Sequence, residues 1–507
     1  MTKVYDTATD MITFARSSSG TALRRVGYGD ELVVDGSGNW IGDFDVAADV
    51  SEWTVGLGGS ASHTGTAMEL TVGASTLCKI EKPYTFSSNK LYRLTFEITS
   101  SSAGVSRVYN YSADELHNFG PGNTTGTFEH VFAGGSSTRG FDIRIEGTQG
   151  STASIDNISI KEVIFDRATD DLVLFNHPDD IPRIEYGSDG SLKGLLIEEQ
   201  RTNLVTHSGD FTQWHTFSGE VGVTQSADTI YGVSAYEITG STGGFGLGRL
   251  SPNGAGAINL TSAGVLTFWA KKIVTGSSLQ YLWDGSVLSF DAQVPNDGEW
   301  HKVEISLPAA NSALQLLRGF TSGTVAVAMA QLEAGSFPTS YIPTLGSQQT
   351  RSADLASIPV TAFGYNQDAG TIVVEASKFG NNNYPRTAML DSSTEANSIG
   401  LGAWDDPTAL FGFIVSGGVV QASIWLGANG SVGTSVFKHG LAFTENSANA
   451  AVNGFIGSED TTVTLPEVTT LRLGRNEQIS QHLNGHIKSL KYFPRRLTDA
   501  QLQELTS

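Results

Sequence analysis

The sequence predicts an all-β protein made of several antiparallel β-sandwiches. Charged residues make up 16% of the chain, against roughly 25% in typical soluble domains. The chain also contains 58 glycines, a composition typical of short strands joined by many turns. In the segment LYRLTFEI, residues 91–98, apolar and polar side chains alternate as in a half-buried strand. Similar segments recur at intervals of about 10 residues without long helical patterns between them, which favours sandwiches.

Two long regions repeat the same landmarks in the same order, which indicates tandem copies of one fold. Phe44 and Phe211 are 167 residues apart, and the pairs Phe128 with Trp300 and Ile160 with Leu332 are each 172 apart. The other landmarks are Phe14 and Arg16 with Phe165 and Arg167, and Asp43 and Trp53 with Asp210 and Trp214.

The final third of the chain is also strand-rich but lacks the repeat. Its last segment, RRLTDAQLQELTS, predicts a helix, because Thr498 and Gln501 have the spacing of a capping box. Since 507 residues suggest about three domains, each strand-rich region is expected to be one sandwich.

Composition also excludes several classes of partner. The net charge is −21, with 31 basic and 52 acidic residues, so no positive field draws in nucleic acid or an anionic membrane. Cys78 is the single cysteine, which excludes an internal disulfide. The sequence lacks apolar runs of signal-peptide or membrane-span length, so we expect synthesis in the cytoplasm and no membrane insertion.

The stretch RIEYGSDGSLKGLLIEEQRTNLV, residues 183–205, is charged and lies between the two repeats. Adjacent side chains of an extended segment point to opposite faces, so Glu198 and Glu199 cannot act as the paired carboxylates of one catalytic centre. We expect a structural connector in which Leu195 and Ile197 are buried and Arg201 pairs with a glutamate.

This connector, together with AQLEAGSFPTSYIPTLGSQQTRSAD, resembles a family of tailed-phage and gene-transfer-agent virion proteins of the tail-fibre and head-spike type. Residues 183–214 and 331–354 carry the match. The resemblance implies carbohydrate-binding-module-like (CBM-like) jelly rolls. The final third is similar to concanavalin A-like, laminin-G-like sandwiches through GTIVVEA, VNG, LRLGR and LNGHIKSLKYFPRRLTDAQL.

The resulting fold prediction is tandem jelly-roll sandwiches followed by a concanavalin A-like sandwich with a short C-terminal helix. The expected boundaries are an anchoring segment at 1–38, a first jelly roll at 39–163, a connector at 164–205, a second jelly roll at 206–345, a linker at 346–360 and the last sandwich at 361–507.

The resemblance implies a virion surface protein that binds bacterial surface polysaccharide for host attachment. It also implies contacts with other virion proteins and a homo-oligomer, since fibres of this kind are often trimeric. We expect no enzymatic activity, because neither a Glu-x-Asp-x-x-Glu pattern nor a Gly-x-Ser-x-Gly elbow occurs. A structural decoration or adaptor protein and a polysaccharide depolymerase tailspike remain alternatives.

No cofactor is expected, although calcium stays open at turns such as VDGSGN and HPDDIP. His482 and His486 have zinc-like spacing, but Asn484-Gly485 indicates a turn, so we expect surface histidines. Tryptophans 53, 214, 269 and 300 are expected in cores.

Two loops are the candidate glycan sites, because an exposed ring stacks on sugar C–H faces while acids and amides bind hydroxyl groups. The candidate residues are Trp404, Asp405 and Asp406 in GAWDDPTAL, and Asn381, Asn382, Asn383 and Tyr384 in KFGNNNYPRT.

Overall fold

The computed structural model describes residues 12–87, 90–102, 105–110, 115–121, 125–134, 141–216, 221–240, 250–380, 384–403, 410–426 and 434–507. The described chain is all-β and forms sandwiches with a short C-terminal helix, as the sequence predicted. It divides into two compact units, Arg25–Asp171 and the remainder, Met1–Arg24 with Leu172–Ser507. The domain boundaries given above stay predictions.

The first sandwich lies in the unit Arg25–Asp171. It follows a short strand, β1 (Thr13–Ala15). Its elements are β2 (Gly20–Glu31), α1 (Ala47–Ser51), β3 (Thr54–Gly56), β4 (Ser60–His63), β5 (Met68–Thr71), β6 (Leu77–Lys82), β7 (Leu91–Ser101), β8 (Val105–Asn110), β9 (Glu115–Pro121), β10 (Gly126–Ala133), β11 (Phe141–Glu146) and β12 (Thr152–Phe165).

The two layers of this sandwich are antiparallel. One contains the order β10-β7-β12-β5-β4 and the other the order β3-β6-β11-β8-β9. Alternate side chains of each layer meet in a core that includes Phe44, Trp53, Phe96 and Ile160. Trp53 is buried there, as expected.

The segment after β12 contributes β13 (Leu172–His177), β14 (Ile184–Tyr186), β15 (Leu192–Ile197) and β16 (Arg201–Asn203). The second sandwich then contains β17 (His215–Thr216), β18 (Val221–Ile230), β19 (Val233–Gly240), β20 (Leu250–Ser251), β21 (Ile258–Leu260), β22 (Gly264–Val274), β23 (Gln280–Trp283), β24 (Ser286–Ser289), β25 (His301–Leu307), β26 (Ala310–Ser312), β27 (Gln315–Leu316) and β28 (Thr324–Ala334). Short 3-10 helices lie at Phe211–Gln213, Asn253–Ala255 and Asp291–Gln293.

The second sandwich repeats the strand order of the first. Its layers run β25-β22-β28-β19-β18 and β17-β20-β27-β23-β24. Trp214 is buried in its core beside Phe211. Trp269 and Trp300 are half-buried and pack against a smaller apolar cluster around Met329.

The last sandwich contains two seven-stranded sheets. After β29 (Gln349–Arg351), β30 (Leu355–Pro359) and the 3-10 helix Val360–Ala362, its elements are β31 (Ala369–Lys378), β32 (Arg386–Asp391), β33 (Ser398–Ala403), β34 (Leu410–Ser416), β35 (Val419–Trp425), β36 (Phe437–Thr444), β37 (Ser447–Val452), β38 (Phe455–Ile456), β39 (Thr470–Leu473), β40 (Gly485–Phe493) and α2 (Asp499–Thr506).

Strands from distant parts of the chain complete both sheets. One sheet runs β1-β30-β39-β32-β33-β34-β35, and the other runs β14-β15-β40-β31-β36-β37-β38. The connector therefore supplies two strands, with Leu195 opposite Ile487. Leu195 and Ile197 are buried in the shared core, as the alternation predicted.

Helix α2 covers the outer face of the second of these sheets. Its predicted capping box is present, with Thr498 accepting a hydrogen bond from the Gln501 backbone N–H. Leu502 packs on Val373, Ala442 and Ala451, which point away from the main core. The outer face of the other sheet carries a different set of side chains, described next.

Candidate functional site

The outer face of the sheet formed by β32 to β35 carries an aromatic strip. Core-facing residues such as Leu401 and Ile414 alternate with outward-facing Met389, Phe411 and Phe413. The Phe411 and Phe413 rings are 5.5 Å apart. Apolar side chains therefore lie on both faces of these strands, and the three outward-facing residues are themselves buried.

Two glycines in β33 make room for this strip. A Cβ atom at Gly400 would lie 2.5 Å from the Phe413 ring, and one at Gly402 would lie 2.8 Å from the Arg386 guanidinium. Both distances are too short for real contacts. The sequence SIGLGA thus lets a phenyl ring and a guanidinium lie flat across β33.

Trp425 ends β35 and is the exposed member of the strip. Its ring is stacked on Phe411, with centroids 5.5 Å apart and planes 24° apart. The residue is 42% exposed, whereas Phe411 is 4% exposed. An indole that is stacked on another ring and still partly exposed to solvent offers a surface on which a sugar ring can stack.

Arg386 lies at the other side of the strip. Its guanidinium carbon is 4.7 Å from the Phe413 centroid and 5.5 Å from the Phe411 centroid, within cation–π range. One Nη donates to the Tyr384 carbonyl at 3.2 Å. Burial lowers the pKa of Arg386 to about 10, and the charge of Glu395 offsets only part of this effect.

No carboxylate of the described residues lies within ion-pair distance of Arg386, and its Nε has no hydrogen-bond partner among them. The neighbouring Arg472 differs, since it binds Asp391 through two hydrogen bonds of 2.6 and 3.0 Å. Asp391 is fully buried. Arg472 is therefore neutralised, whereas Arg386 has donors that no carboxylate of the described residues uses.

The structure places one predicted site residue beside this strip. Tyr384 is half-buried, and its carbonyl is the Arg386 acceptor. Trp404, Asp405, Asp406, Asn381, Asn382 and Asn383 lie outside the described residues.

The strand ends that border those two loops lie at the same end of the sheet. Arg386 is opposite Gly402, Ala403 is opposite Leu410, and Phe411 is opposite Trp425. Sequence reasoning missed Arg386, Phe411 and Trp425. The signal was present in QASIW, where Trp425 alternates with Ala422 and Ile424 and so points away from the core.

The connector is held by a buried ionic cluster in which Glu198 is the central acid. Burial alone would raise the pKa of Glu198, but Arg351 and Arg183 outweigh burial and lower it to about 2. Arg183 also pairs with Asp354, which in turn lies 3.2 Å from Arg16. All five side chains are almost fully inaccessible to solvent.

The structure supports the connector hypothesis for this stretch. Glu199 pairs with Arg201 at 2.6 Å, as expected, and shares no centre with Glu198. Glu198 accepts hydrogen bonds from the Ser340 backbone N–H and hydroxyl, both at 2.7 Å. These contacts tie together segments that are far apart in sequence.

The expectation of surface histidines in HLNGH is wrong. His482 is 3% exposed and His486 is 6% exposed, because β14 and β15 lie alongside β40. His486 Nε2 is 2.6 Å from Glu185, and its Nδ1 is 3.3 Å from the Ser377 hydroxyl. Among the described residues, no group of three or more His, Cys, Asp or Glu side chains could hold a metal ion.

One aspartate in each turn considered for calcium accepts backbone hydrogen bonds. The Asp35 carboxylate accepts hydrogen bonds from the Ser37 and Asn39 backbone N–H groups. The Asp180 carboxylate accepts one from the Arg16 backbone N–H at 2.8 Å. The described helices also include none that is long and apolar enough to span a bilayer.

No protein-family model and no curated protein sequence matches the chain. Among solved structures, the CBM40 module of Ruminococcus gnavus IT-sialidase matches at 14% identity and a TM-score of 0.24, over 28% of this chain and 84% of that one. The tandem CBM22 modules of Paenibacillus barcinonensis Xyn10C match at 9% identity and a TM-score of 0.20, over 56% of this chain and 94% of that one.

Trypanosoma rangeli sialidase matches at 12% identity and a TM-score of 0.25, over 88% of this chain and 93% of that one. These similarities concern the β-sandwich fold alone. They nevertheless correct the expectation that the chain is not an enzyme, because structures matched over most of the chain include sialidases.

Proposed function

We propose that this chain binds glycans through the aromatic strip of its last sandwich. The observation that carries the proposal is Trp425, an indole that is 42% exposed to solvent and stacked on Phe411. Sugar C–H groups pack well on such a ring, and its fixed orientation lowers the entropic cost of binding. Arg386 lies on the same strip and provides hydrogen-bond donors for sugar oxygens.

We further propose that the glycan belongs to a bacterial surface and that the chain sits on a virion, as a tail fibre or head spike that attaches to the host. The support is the resemblance carried by residues 183–214 and 331–354. Several copies would be needed, because one shallow site binding at about 1 mM contributes only about 4 kcal/mol. Multivalent display can raise the apparent affinity by roughly 10²–10⁴ without tighter contacts.

The test is a bacterial glycan array probed with the intact chain and with W425A, together with an assay for newly released reducing ends. We expect binding that W425A weakens at least about tenfold. Released reducing ends would show that the bound glycan is also a substrate. No binding to any glycan, combined with a stable complex with another virion protein, would contradict the proposal and favour a structural adaptor.

A further inference from the structure

Arg386 differs from the other arginines described above because its neighbours are aromatic rings instead of carboxylates. Arg16, Arg183 and Arg472 each lie within 4.0 Å of a buried carboxylate. Arg386 lies over Phe411 and Phe413, and its hydrogen-bond acceptor among the described residues is the uncharged Tyr384 carbonyl. A guanidinium presents five N–H donors in a planar fork that matches a carboxylate.

The position of this guanidinium relative to the indole suits a carbohydrate. Phe411 contacts both groups, with its centroid 5.5 Å from the Trp425 ring centroid and 5.5 Å from the Arg386 guanidinium carbon. The indole centroid and the guanidinium carbon are therefore at most twice that distance apart. A glycan stacked on Trp425 would place a substituent of the same or the next sugar within reach of Arg386.

The negative net charge of the chain disfavours acidic ligands, so a local cation would help to bind one. A net charge of −21 repels a polyanion at long range. Ionic strength weakens that repulsion beyond a distance of about 8 Å in physiological salt, whereas a direct pair with a partly buried guanidinium is screened much less. Arg386, which has no ion-pair partner among the described residues, is thus the feature of the strip that would favour binding of an acidic glycan.

We propose, on the premise that the strip binds glycans, that its ligand carries a carboxylate, as in a polysaccharide containing uronic or ulosonic acids, and that Arg386 binds this carboxylate in a bidentate pair. Trp425 stacks on the sugar ring, and Arg386 favours glycans that carry a carboxylate. A neutral glycan would stack on the indole but would leave the guanidinium without a partner.

The test is an array printed in two forms, with native acidic glycans and with the same glycans after reduction of each carboxylate to a primary alcohol. Intact protein is expected to bind the native form at least about tenfold more tightly, since charge-assisted bidentate pairs are strong. R386Q should remove the difference between the two forms, and R386K should restore part of it. R496Q removes a positive charge that pairs with Glu459 and Asp499 in the same sandwich and serves as the matched control.

Equal binding to both forms, or binding confined to neutral glycans and sensitive to W425A, would overturn the role of Arg386 while leaving glycan binding intact. Absence of binding to either form would refute the proposed function itself. Circular dichroism of R386Q checks that loss of discrimination does not reflect unfolding, because the neutral form would still bind to a folded variant.

Discussion

The first and second sandwiches have the same strand order but bury polar groups differently at equivalent positions. In the second, Asn203 is fully buried and makes four hydrogen bonds. Its oxygen accepts from the Val205 and Leu332 backbone N–H groups, and its amide nitrogen donates to the Ala330 and Ile342 carbonyls.

In the first sandwich, two residues share that role. Glu31, 172 positions before Asn203, accepts from the backbone N–H groups of Val33 and Ile160. A carboxylate cannot donate, so the Trp40 indole N–H binds the Ile158 carbonyl at 2.7 Å. The shared backbone fold therefore determines which buried polar atoms need hydrogen-bond partners, while different side chains can provide those partners.

The same region also differs in packing. In the second sandwich, the Asn253 side chain binds the Thr206 backbone N–H and the Leu204 carbonyl. In the first, the equivalent strand segment, Leu32 to Val34, borders a cavity of about 210 Å³ lined also by Tyr84 and Phe141. The second copy thus has side-chain hydrogen bonds at the place where the first borders a cavity.

The largest expected effect concerns the ionic cluster in the unit that contains the second sandwich. R183M would leave Glu198 and Asp354 buried with less compensation, which typically costs about 3–5 kcal/mol. Urea denaturation should show this loss in the free energy of unfolding of that unit. The control K90M removes an exposed pair of the first sandwich and should change stability by less than about 1 kcal/mol. Similar losses in the free energy of unfolding in both variants would show that the buried cluster contributes no more to stability than an exposed pair.

The next effect tests the equivalence of Asn203 and Glu31 directly. N203A would leave four buried backbone groups without partners, so we expect a loss of about 3 kcal/mol. E31A should cost about 1–2 kcal/mol, because Glu31 is half-buried and water can replace it. The free energy of unfolding of each unit is the measurement, and a larger loss for E31A would contradict the comparison.

A buried polar group without partners extends the comparison to the last sandwich. His439 is fully buried, and neither ring nitrogen has a hydrogen-bond partner among the described residues. Burial lowers the pKa of His439 to about 3. The unfolded chain therefore binds a proton near pH 6.5 that the folded chain does not, so stability falls as the pH drops below about 6.5.

By pH 4.5 this effect should reach about 2–3 kcal/mol. Hydrogen exchange in β36 and β37 measures it locally, and H439L should remove the pH dependence. The same pH dependence in H439L would assign it to other groups.

The smallest effect concerns the cavity of the first sandwich. V34L adds a methylene group at its wall and should raise stability by about 0.5–1 kcal/mol. N253A in the second sandwich should act in the opposite direction by removing hydrogen bonds to Leu204 and Thr206. A destabilising V34L would mean that the cavity cannot accommodate a larger side chain.

Local pattern predicted much of this fold. The alternation of apolar and polar residues predicted the strands, and the repeated landmarks predicted two sandwiches of one fold. The capping-box spacing of Thr498 and Gln501 predicted the C-terminal helix. Pairings between distant segments could not be read in this way. Leu196 lies opposite His486, and this contact buries a histidine that looked exposed in its local sequence. Trp425 was overlooked for a related reason, since only the completed sheet shows that its outward face is an aromatic strip.

Glycan binding at Trp425 is the central claim for this protein. Isothermal titration of one array-selected glycan into intact protein, W425A and Y84A tests it, because Tyr84 is a similarly exposed aromatic residue of the first sandwich. We predict that W425A loses at least about tenfold in affinity while Y84A binds as the intact chain does. Unchanged affinity in W425A would contradict the account.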